Sequence, residues 1–307
     1  MRSLDQTPEG WDSASETYDA QVAEFFRPYA ARCIELADVG REHKVLDLAA
    51  GTGLVTLEVA PIVDRVVAVD FAPRMVEALG SRATRVGLRN ISVEVMSAEE
   101  LVIPDHTFDR VICNLGAMFF RDRVKAFAEM YRVLRPGGRA VVSTWGPPER
   151  FQAFSLFVAS IRRATPDLGH TTSPLAFALA DPSRLRDEMC RGGFDEVRIE
   201  TVAYMFEAPD AASLWSRLKG AAPPMTALLA RVGPRAVEQA RADMTATLRE
   251  RFGDGPVRLP CEAHFAIATR VSRSFGGIQP SIARAVVATD LALRGERGHQ
   301  ITYQIGG

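Results

Sequence analysis

Residues 45–53 read Val-Leu-Asp-Leu-Ala-Ala-Gly-Thr-Gly, and residues 66–70 read Val-Val-Ala-Val-Asp. Both apolar runs are too short for helices and are typical of buried strands. After the first run, Gly51 and Gly53 remove side-chain bulk where the chain turns into a helix, so backbone N–H groups can approach a ligand closely. Asp70 ends the second run, at the sheet edge where an acid commonly accepts hydrogen bonds from ribose hydroxyls. Together the two stretches predict a nucleoside-binding α/β domain.

The spacing of the glycines distinguishes between kinds of nucleoside ligand. A dinucleotide site has the pattern Gly-x-Gly-x-x-Gly, in which the third glycine lets helix and strand pack tightly beside a pyrophosphate. Counted from Gly51, the third position is Thr56, whose β-branched side chain would crowd that contact. Asp47 also lies outside the dinucleotide pattern. The loop therefore disfavours a nicotinamide-dependent oxidoreductase, which is kept as the less favoured alternative.

Four stretches together resemble a known family. Asp47-Leu-Ala-Ala-Gly-Thr-Gly with Asp70 resembles the first motif and the ribose-binding acid of class I S-adenosylmethionine-dependent methyltransferases. The resemblance extends, within the small-molecule enzymes of ubiquinone and menaquinone biosynthesis, to Ser97-Ala-Glu-Glu-Leu, Pro104-Asp-His-Thr-Phe-Asp-Arg-Val-Ile and Tyr131-Arg-Val-Leu-Arg-Pro-Gly-Gly-Arg. Several ordered motifs are more specific than one glycine loop. The resemblance implies S-adenosylmethionine as the cofactor.

The family pattern assigns residues to the methionine and ribose portions of that cofactor. A sulfonium compound has no phosphate, and its amino-acid end carries an ammonium and a carboxylate, which suits an acid beside free backbone N–H groups. The resemblance implies that Asp47, Ala49 and Gly51, with Gly53 in the same loop, surround the methionine portion. Asp70 is implied at the ribose, where a helix N-cap is the alternative role. Ala49 departs from the glycine of many relatives.

The adenine and the amino-acid end have their own candidates. Phe71 and Met75 offer apolar surface to the adenine, although ordinary core packing explains them equally well. The resemblance implies that the Ala98 backbone N–H and Glu99 lie at the adenine edge, while Ser97 stands where many relatives have an acid. Asn114 follows the fourth strand and has polar groups available near the amino-acid end.

Alternation of strands and helices predicts parallel βαβ units. The expected fold is α/β, a Rossmann-like, seven-stranded, mostly parallel sheet with helices on both faces and a helical lid insertion. The pattern predicts five strands: Lys44–Leu48, Arg65–Asp70, Ile91–Val95, Arg110–Cys113 and Ala140–Thr144. The resemblance adds Glu196–Thr201 and Cys261–Thr269 as antiparallel closing strands. Helices are expected over Trp11–Ala37 (with a break or kink at Pro28), Gly53–Ala60, Pro73–Val86 and Arg121–Leu134.

The chain is divided into five expected segments. They are an N-terminal helical cap (1–40), a cofactor-binding domain (41–202), a lid or substrate insertion (203–256), the closing strand (257–270) and a C-terminal tail (271–307). Two interpretations of the tail, with one helix over Pro280–Leu293, stay open: an oligomerisation arm of a possible homodimer, or a poorly ordered terminus.

Candidates on the substrate side are mostly aromatic. Those expected to bind substrate are Trp11, Tyr18, Met118, Phe119 and Trp145, with one or two of the residues after the fourth and fifth strands expected to be core instead. Tyr18, His170 and His264 are weak candidates for a catalytic group: Tyr18 could touch the cofactor or polarise a substrate group, and the two histidines could act as bases because histidine titrates near neutral pH. His264 is equally a satisfied strand residue. Methyl transfer needs no acid for its leaving group, so positioning, worth about 7–11 kcal/mol, can supply most of the catalysis.

Composition limits the class of protein. The chain has 307 residues with a formal net charge of −1, which argues against a nucleic-acid partner because such proteins usually have a basic face. No apolar run approaches the roughly 20 residues that span a bilayer, and Met1–Glu16 is too polar for a secretory signal. The cysteines (Cys33, Cys113, Cys190 and Cys261) lack metal-ligand spacing, so free thiols in the cytoplasm and no metal are expected.

The motifs together predict transfer of a methyl group from S-adenosylmethionine to an oxygen, nitrogen or carbon of a small organic molecule. The aromatic and methionine side chains after the fourth strand favour an apolar or aromatic acceptor. Two alternatives are retained: a non-catalytic protein that binds S-adenosylmethionine, and the nicotinamide-dependent oxidoreductase.

Overall fold

A seven-stranded sheet forms the centre of the structure, a computed structural model in which residues 6–12, 24–166, 175–220 and 223–271 are described. The strands are β1 (Lys44–Leu48), β2 (Arg65–Asp70), β3 (Ile91–Val95), β4 (Phe108–Asn114), β5 (Leu134–Trp145), β6 (Val197–Ala208) and β7 (Val257–Thr269). Their order is β3-β2-β1-β4-β5-β7-β6. The five strands from β3 to β5 pair in parallel, and β7 runs antiparallel to both β5 and β6. The predicted α/β, Rossmann-like fold is confirmed.

The helices connect the strands and pack against the sheet. Numbered along the described chain, they are α1 (Pro8–Asp12), α2 (Glu24–Ala37), α3 (Leu54–Val59), α4 (Pro73–Arg85), α5 (Arg123–Val133), α6 (Gln152–Ala164), α7 (Pro182–Arg191), α8 (Ala211–Lys219), α9 (Pro223–Val232) and α10 (Pro234–Phe252). Short 3-10 turns follow β4 at Ala117–Phe119 and β5 at Pro148–Arg150. No helix in these ranges has the length and apolar character needed to cross a membrane.

The sheet order decides where a ligand can bind. The chain moves outward on one side from β1 through β2 to β3, and then returns to place β4 on the other side of β1. The connections after β1 and β4 therefore leave in opposite directions, and in open α/β sheets the resulting crevice at the carboxyl ends is the usual ligand site. Val45, Leu46 and Leu48 are fully buried, so β1 is a rigid floor for that crevice.

Several expected boundaries were wrong, and each has a local cause. β6 lies antiparallel to β7 but in the same direction as β5, so only β7 opposes the sheet among the described strands. β5 begins at Leu134, directly after α5, because Leu134 already pairs with Phe108 before the Gly137–Gly138 turn. Of the break or kink expected at Pro28, the break is absent, because α2 continues through that proline.

The expected insertion begins later than residue 203. β6 continues to Ala208 because its last residues pair without interruption with Val257–Cys261 of β7. The excursion between the two strands therefore starts at residue 209 and contains α8, α9 and α10. α10 packs mainly against α6 and α8, and α9 contacts α1. The helical character of the insertion was predicted, but its packing partners were not.

Candidate active site

A cavity of about 440 Å³ opens at the carboxyl ends of the central strands. Its wall is formed by the residues that end β1, β2, β3 and β4, together with the segment Gln6–Trp11 at the amino-terminal end of the described chain. This volume lies within the range of about 300–1,000 Å³ that is usual for small-molecule and cofactor sites. The cavity therefore occupies the crevice created by the reversal of strand order.

Asp70 is the buried acid of this cavity. Its Oδ2 accepts a hydrogen bond from the Gly51 N–H at 2.8 Å, and its Oδ1 accepts one from the Ala72 N–H at 2.9 Å. Burial raises the pKa of Asp70 to about 6, and the backbone N–H donors partly oppose that shift. A carboxylate has about four lone-pair sites, so Asp70 can accept hydrogen bonds from a ligand in addition to those from the backbone. Two adjacent ribose hydroxyls fit that requirement.

The two glycines of the loop, Gly51 and Gly53, have different structural roles. Gly51 lines the cavity with φ +54°, and a Cβ there would meet no atom within 4 Å, so its backbone lies open to a ligand. Gly53 does not line the cavity. Its φ is +93°, and a Cβ there would lie 2.0 Å from Leu79 Cδ1. Gly53 is thus needed for the close approach of the loop to α4, which differs from its expected contact with the cofactor.

Ala49 lines the cavity in a conformation that alanine rarely adopts. Its φ is +58°, in the left-handed region that glycine occupies readily. The Ala50 N–H donates to the Val69 carbonyl at 3.0 Å, which fixes the loop against β2. The glycine of many relatives at this position is explained by that backbone angle.

Asp47 has a role that the sequence did not indicate. It is 1% exposed and does not line the cavity. Its Oδ2 accepts a hydrogen bond from the Thr56 hydroxyl at 2.5 Å. Burial raises the pKa of Asp47 to about 7, the Thr56 donors lower it, and the Asp70 charge raises it slightly. Asp47 therefore fixes the start of α3, and Thr56, which breaks the dinucleotide pattern, is its partner.

The apolar side of the cavity contains the expected adenine candidates. Phe71 and Met75 both line it and form a small cluster with Ala72 and Trp11. Trp11 also meets Phe119 edge to face, with ring centroids 5.2 Å apart. This cluster is separate from the main core. The aromatic and methionine side chains thus cover the cavity with α1.

Ala98 and Glu99 lie in the same wall, close to Ser97. Glu99 Oε1 accepts from the Arg121 backbone N–H at 2.8 Å, and Glu99 Oε2 accepts from the Ser97 hydroxyl. The carboxylate is therefore engaged in holding the loop after β4. Asn114 ends β4 and lines the cavity, as expected, with its side-chain oxygen bound to Ser143 at 2.8 Å.

Two expected substrate residues lie away from the cavity. Met118 is fully buried in the core, because the 3-10 turn after β4 directs Phe119 and Phe120, rather than Met118, to the cavity. Trp145 is 7% exposed and packs among aromatic rings of α2. These two placements agree with the expectation that some residues of this group are core.

His264 is not available as a general base in this structure. Its Nε2 lies 2.9 Å from the Ala180 carbonyl oxygen, and its Nδ1 lies 2.8 Å from the Thr201 hydroxyl. A carbonyl only accepts, so Nε2 carries the proton and Nδ1 accepts from Thr201. The ring is 3% exposed and lies outside the cavity. The other two catalytic candidates, Tyr18 and His170, lie outside the described residues.

Sequence reasoning missed several lining residues. Gln6 and Pro8 come from the amino-terminal segment, Leu115 and Gly116 from the turn after β4, and Arg121 from the loop before α5. Arg121 directly follows Phe119 and Phe120, which line the cavity, so its position in sequence could have indicated that it lies there too. No sequence pattern indicated that residues before Trp11 reach the cavity, since that depends on how α1 is held against α4 by the bond from Arg74 N–H to Asp12 Oδ1 at 2.8 Å.

The arrangement suits a nucleoside with a charged amino-acid end. A buried acid, an open glycine backbone, an apolar wall and an amide occupy successive parts of one cavity. Within the described ranges, His, Cys, Asp and Glu side chains form no group able to hold a metal ion. S-adenosylmethionine, a nucleoside with an amino-acid end, fits this donor set.

Comparisons with known proteins agree with this geometry. The profile of the methyltransferase domain family matches residues 46–142. Demethylmenaquinone methyltransferase of Thermus thermophilus is 34% identical over 188 residues, covering 56% of this chain and 83% of that protein. Aklanonic acid methyltransferase DauC of a Streptomyces species is 36% identical over 137 residues, covering 44% of this chain and 62% of DauC, less than two thirds of its length.

A solved structure supports the fold. The crystal structure of YcgJ from Bacillus subtilis superposes with a TM-score of 0.54 at 21% identity, covering 80% of this chain and 99% of YcgJ. The relationship to the Thermus protein, at 34% identity, extends over 83% of that protein's length. This chain therefore belongs to the class I S-adenosylmethionine-dependent methyltransferases.

Proposed function

We propose that this chain transfers the methyl group of S-adenosylmethionine to a small organic molecule by in-line displacement. The observation that carries the proposal is Asp70, a buried carboxylate in the cavity wall whose two oxygens accept from the Gly51 and Ala72 N–H groups. A methyl group on a positive sulfonium is already activated. The bond from sulfur to the methyl carbon breaks as the acceptor atom bonds to that carbon, and the electron pair stays on sulfur.

The residues of the chain contribute binding and the exclusion of water. Asp70 would hold the ribose, while the wall of Phe71, Met75 and Trp11 would exclude water from the adenine. Such positioning is worth about 7–11 kcal/mol when two reactants are held in line. An acceptor that has already lost its proton to solvent reacts as the anion and needs no protein base, so methyl transfer to it does not require His264.

The proposed acceptor is apolar or aromatic, with an oxygen, nitrogen or carbon nucleophile. Trp11, Phe119 and Phe120 give the cavity apolar walls on the side of the amino-terminal segment. The two curated relatives named above act, by their names, on aklanonic acid and demethylmenaquinone, both small organic molecules. These names and the aromatic walls support the same class of acceptor.

We also propose that the amino-terminal segment and the insertion form the acceptor side. α9 of the insertion contacts α1, and α1 lines the cavity, whereas no described residue of 209–256 lines it. The insertion would thus act through α1 rather than by direct contact with the cofactor. The finer expectations belong to the same proposal: a cytoplasmic enzyme without a nucleic-acid partner, either monomer or homodimer, which light scattering after gel filtration distinguishes.

The test is calorimetric titration of the purified protein with S-adenosylmethionine, S-adenosylhomocysteine and NADH. We expect micromolar binding of the two sulfur nucleosides and none of NADH. Asp70→Ala should weaken nucleoside binding at least tenfold, because a hydrogen-bonded charged acceptor is lost. Asp243→Ala is the matched control, since that carboxylate pairs with Arg163 outside the cavity.

Turnover separates the remaining alternatives. Labelled methyl transfer to a panel of phenols, quinols, amines and acidic carbon compounds should give product with at least one acceptor class. Tight nucleoside binding without transfer to any acceptor would identify a non-catalytic binding protein. Binding of NADH alone would overturn the proposal in favour of an oxidoreductase.

A further inference from the structure

The side chain of Asn114 is held by two buried donors on neighbouring elements. Its Oδ1 accepts a hydrogen bond from Ser143 Oγ at 2.8 Å and from Cys33 Sγ at 3.7 Å. Ser143 lies on β5 beside β4, and Cys33 lies on α2; both are completely buried. Asn114 itself is half-buried and lines the cavity. One arm of the amide is thus fixed in the interior.

The fixed arm is the carbonyl oxygen, which accepts both of these hydrogen bonds. Ser143 Oγ accepts from the Leu115 backbone N–H at 3.0 Å, and its O–H donates to Asn114 Oδ1. Burial raises the pKa of Cys33 to about 12, which keeps the thiol protonated and able to donate as well. The carbonyl arm therefore faces the interior.

The N–H₂ arm then faces the cavity. Among the described residues, the buried side-chain nitrogen and oxygen atoms that lack a partner are Arg32 Nε and Thr245 Oγ1. Asn114 Nδ2 has no partner in the described chain and is absent from that pair, so it is accessible. The two N–H donors of Asn114 Nδ2 can bind an acceptor on a ligand in the cavity, and an anionic acceptor makes a stronger hydrogen bond than a neutral one.

We propose that Ser143 and Cys33 are positioning residues, which orient the Asn114 amide so that its N–H donors bind the carboxylate at the amino-acid end of S-adenosylmethionine. This inference rests on the proposed function. The ammonium at the same end of the cofactor can only donate, and it cannot use an N–H group. The orientation set by Ser143 thus makes Asn114 selective for the carboxylate.

The test compares ligands that differ only at the amino-acid end. S-adenosylhomocysteine carries both charged groups, its decarboxylated analogue keeps only the ammonium, and 5′-methylthioadenosine lacks both. Asn114→Ala should weaken S-adenosylhomocysteine binding about tenfold or more, since charge-assisted hydrogen bonds are lost. Ser143→Ala should weaken it about three- to tenfold through loss of orientation, and Cys33→Ala less. Binding of 5′-methylthioadenosine should change by less than about twofold in all three.

The matched control is Thr144→Val, on the adjacent residue of β5. Thr144 is also fully buried, and its hydroxyl donates to the Leu179 carbonyl, away from the cavity. This variant should not change the ratio of affinities for S-adenosylhomocysteine and 5′-methylthioadenosine. Cys33→Ser restores a hydroxyl donor and should bring that ratio back toward the wild-type value.

The unmodified protein gives an independent measurement. Its side-chain amide resonance of Asn114 should shift when S-adenosylhomocysteine is added and stay in place with the decarboxylated analogue. Equal losses of both nucleosides in Ser143→Ala, or equal wild-type affinity for the carboxylated and decarboxylated ligands, would overturn the inference while leaving the proposed function intact. Failure of the wild type to bind any of these nucleosides would instead overturn the proposed function.

Discussion

The carboxyl ends of β1 and β5 lie at the same edge of one sheet, yet one is an open cavity and the other is filled. After β1, the chain turns at Ala49 and Gly51, whose side chains are a methyl group and a hydrogen atom, so the crevice beside them stays open. At β5, Trp145 contacts Phe26, Tyr29 and Phe151 with ring centroids 5.1–5.5 Å apart. Position at the edge of a sheet therefore does not by itself make a binding residue.

The difference arises from the neighbours of each strand. β1 lies between β2 and β4, where the order of the sheet reverses and the connecting chains separate. β5 lies between β4 and the antiparallel β7, and α2 packs over it with the rings of Phe25, Phe26 and Tyr29. Aromatic rings bury a large area and fill the available space. Substitutions at the open edge should therefore change mainly ligand affinity, and substitutions at the filled edge should change mainly the free energy of unfolding.

The largest expected effect is at the filled edge. Trp145→Ala should lower the free energy of unfolding by about 3–5 kcal/mol, because a large buried ring is replaced by a cavity. Chemical denaturation measures this loss, with Trp145→Phe as the milder control. The affinity of the folded fraction for S-adenosylhomocysteine should stay within about twofold of wild type. A tenfold loss of affinity would place Trp145 in the site and remove the contrast between the two edges.

The two glycines of the open edge should separate in the same way on a smaller scale. Gly53→Ala should destabilise by about 1–3 kcal/mol, since its Cβ would overlap Leu79 at a positive φ. Gly51→Ala meets open space and carries only the backbone strain, about 1–2 kcal/mol. Of the two, Gly51→Ala should show the greater loss of nucleoside affinity, because its new methyl enters the cavity. Paired denaturation and titration curves test this, and a reversed ranking would contradict the assignment of the two glycines.

Both protein stability and nucleoside affinity should depend on pH through the buried acids at the open edge. The pKa values of Asp70 and Asp47 are raised from 3.8 to about 6 and about 7. Their contribution to the stability of the free protein is complete below pH 3.8 and is lost as the pH rises through those values. If the ionised Asp70 binds the ribose, affinity should move the opposite way and fall about tenfold from pH 7 to pH 5.

Asp70→Asn supplies the control for that measurement, because the amide keeps the shape of the side chain and does not titrate. Its nucleoside affinity should be lower and nearly flat between pH 5 and pH 7. A wild-type profile as flat as that of the variant would mean that the charge of Asp70 is not used in binding.

The smallest expected effect is Ala49→Gly. Relief of the left-handed strain at φ +58° is opposed by the greater flexibility of glycine in the unfolded chain. The net change should be a stabilisation of less than about 1 kcal/mol, with nucleoside affinity nearly unchanged, as measured by thermal unfolding. A clear destabilisation would show that the Ala49 methyl makes a contact that outweighs its strain.

Much of the fold could be predicted because it depends on local patterns. The bounds of β1, β2 and β3 agree with the prediction, since each is a short run with a marked turn at both ends. β6 was predicted too short, because its second half is held by pairing with β7, a partner about 50 residues away; that half alternates exposed residues with partly or fully buried ones. Long-range pairing of that kind leaves little local signal.

In the candidate site, too, the local sequence predicted residues that line the cavity, whereas contacts from distant segments were not predicted. Asp70, Gly51, Phe71 and Met75 follow directly from the glycine loop and the strand after it, and all line the cavity. Asp47 was predicted to contact the cofactor because its spacing is that of the motif. Its side chain instead turns away from the cavity and accepts a hydrogen bond from Thr56. His264 was a candidate only as a residue type, and the two partners that occupy its ring come from distant segments.

By itself, the sequence determined the class of fold, the nucleoside loop and the acid that follows it, because these depend on residues within about one βαβ unit. Tertiary structure alone decided which strand ends stay open, which of Gly51 and Gly53 meets the cavity, and which arm of the Asn114 amide faces it. Those outcomes depend on contacts with Leu79, Ser143 and the aromatic rings of α2, which come from elsewhere in the chain. Close packing makes such distant contacts decisive, since a single methyl group or one hydrogen bond changes what fits.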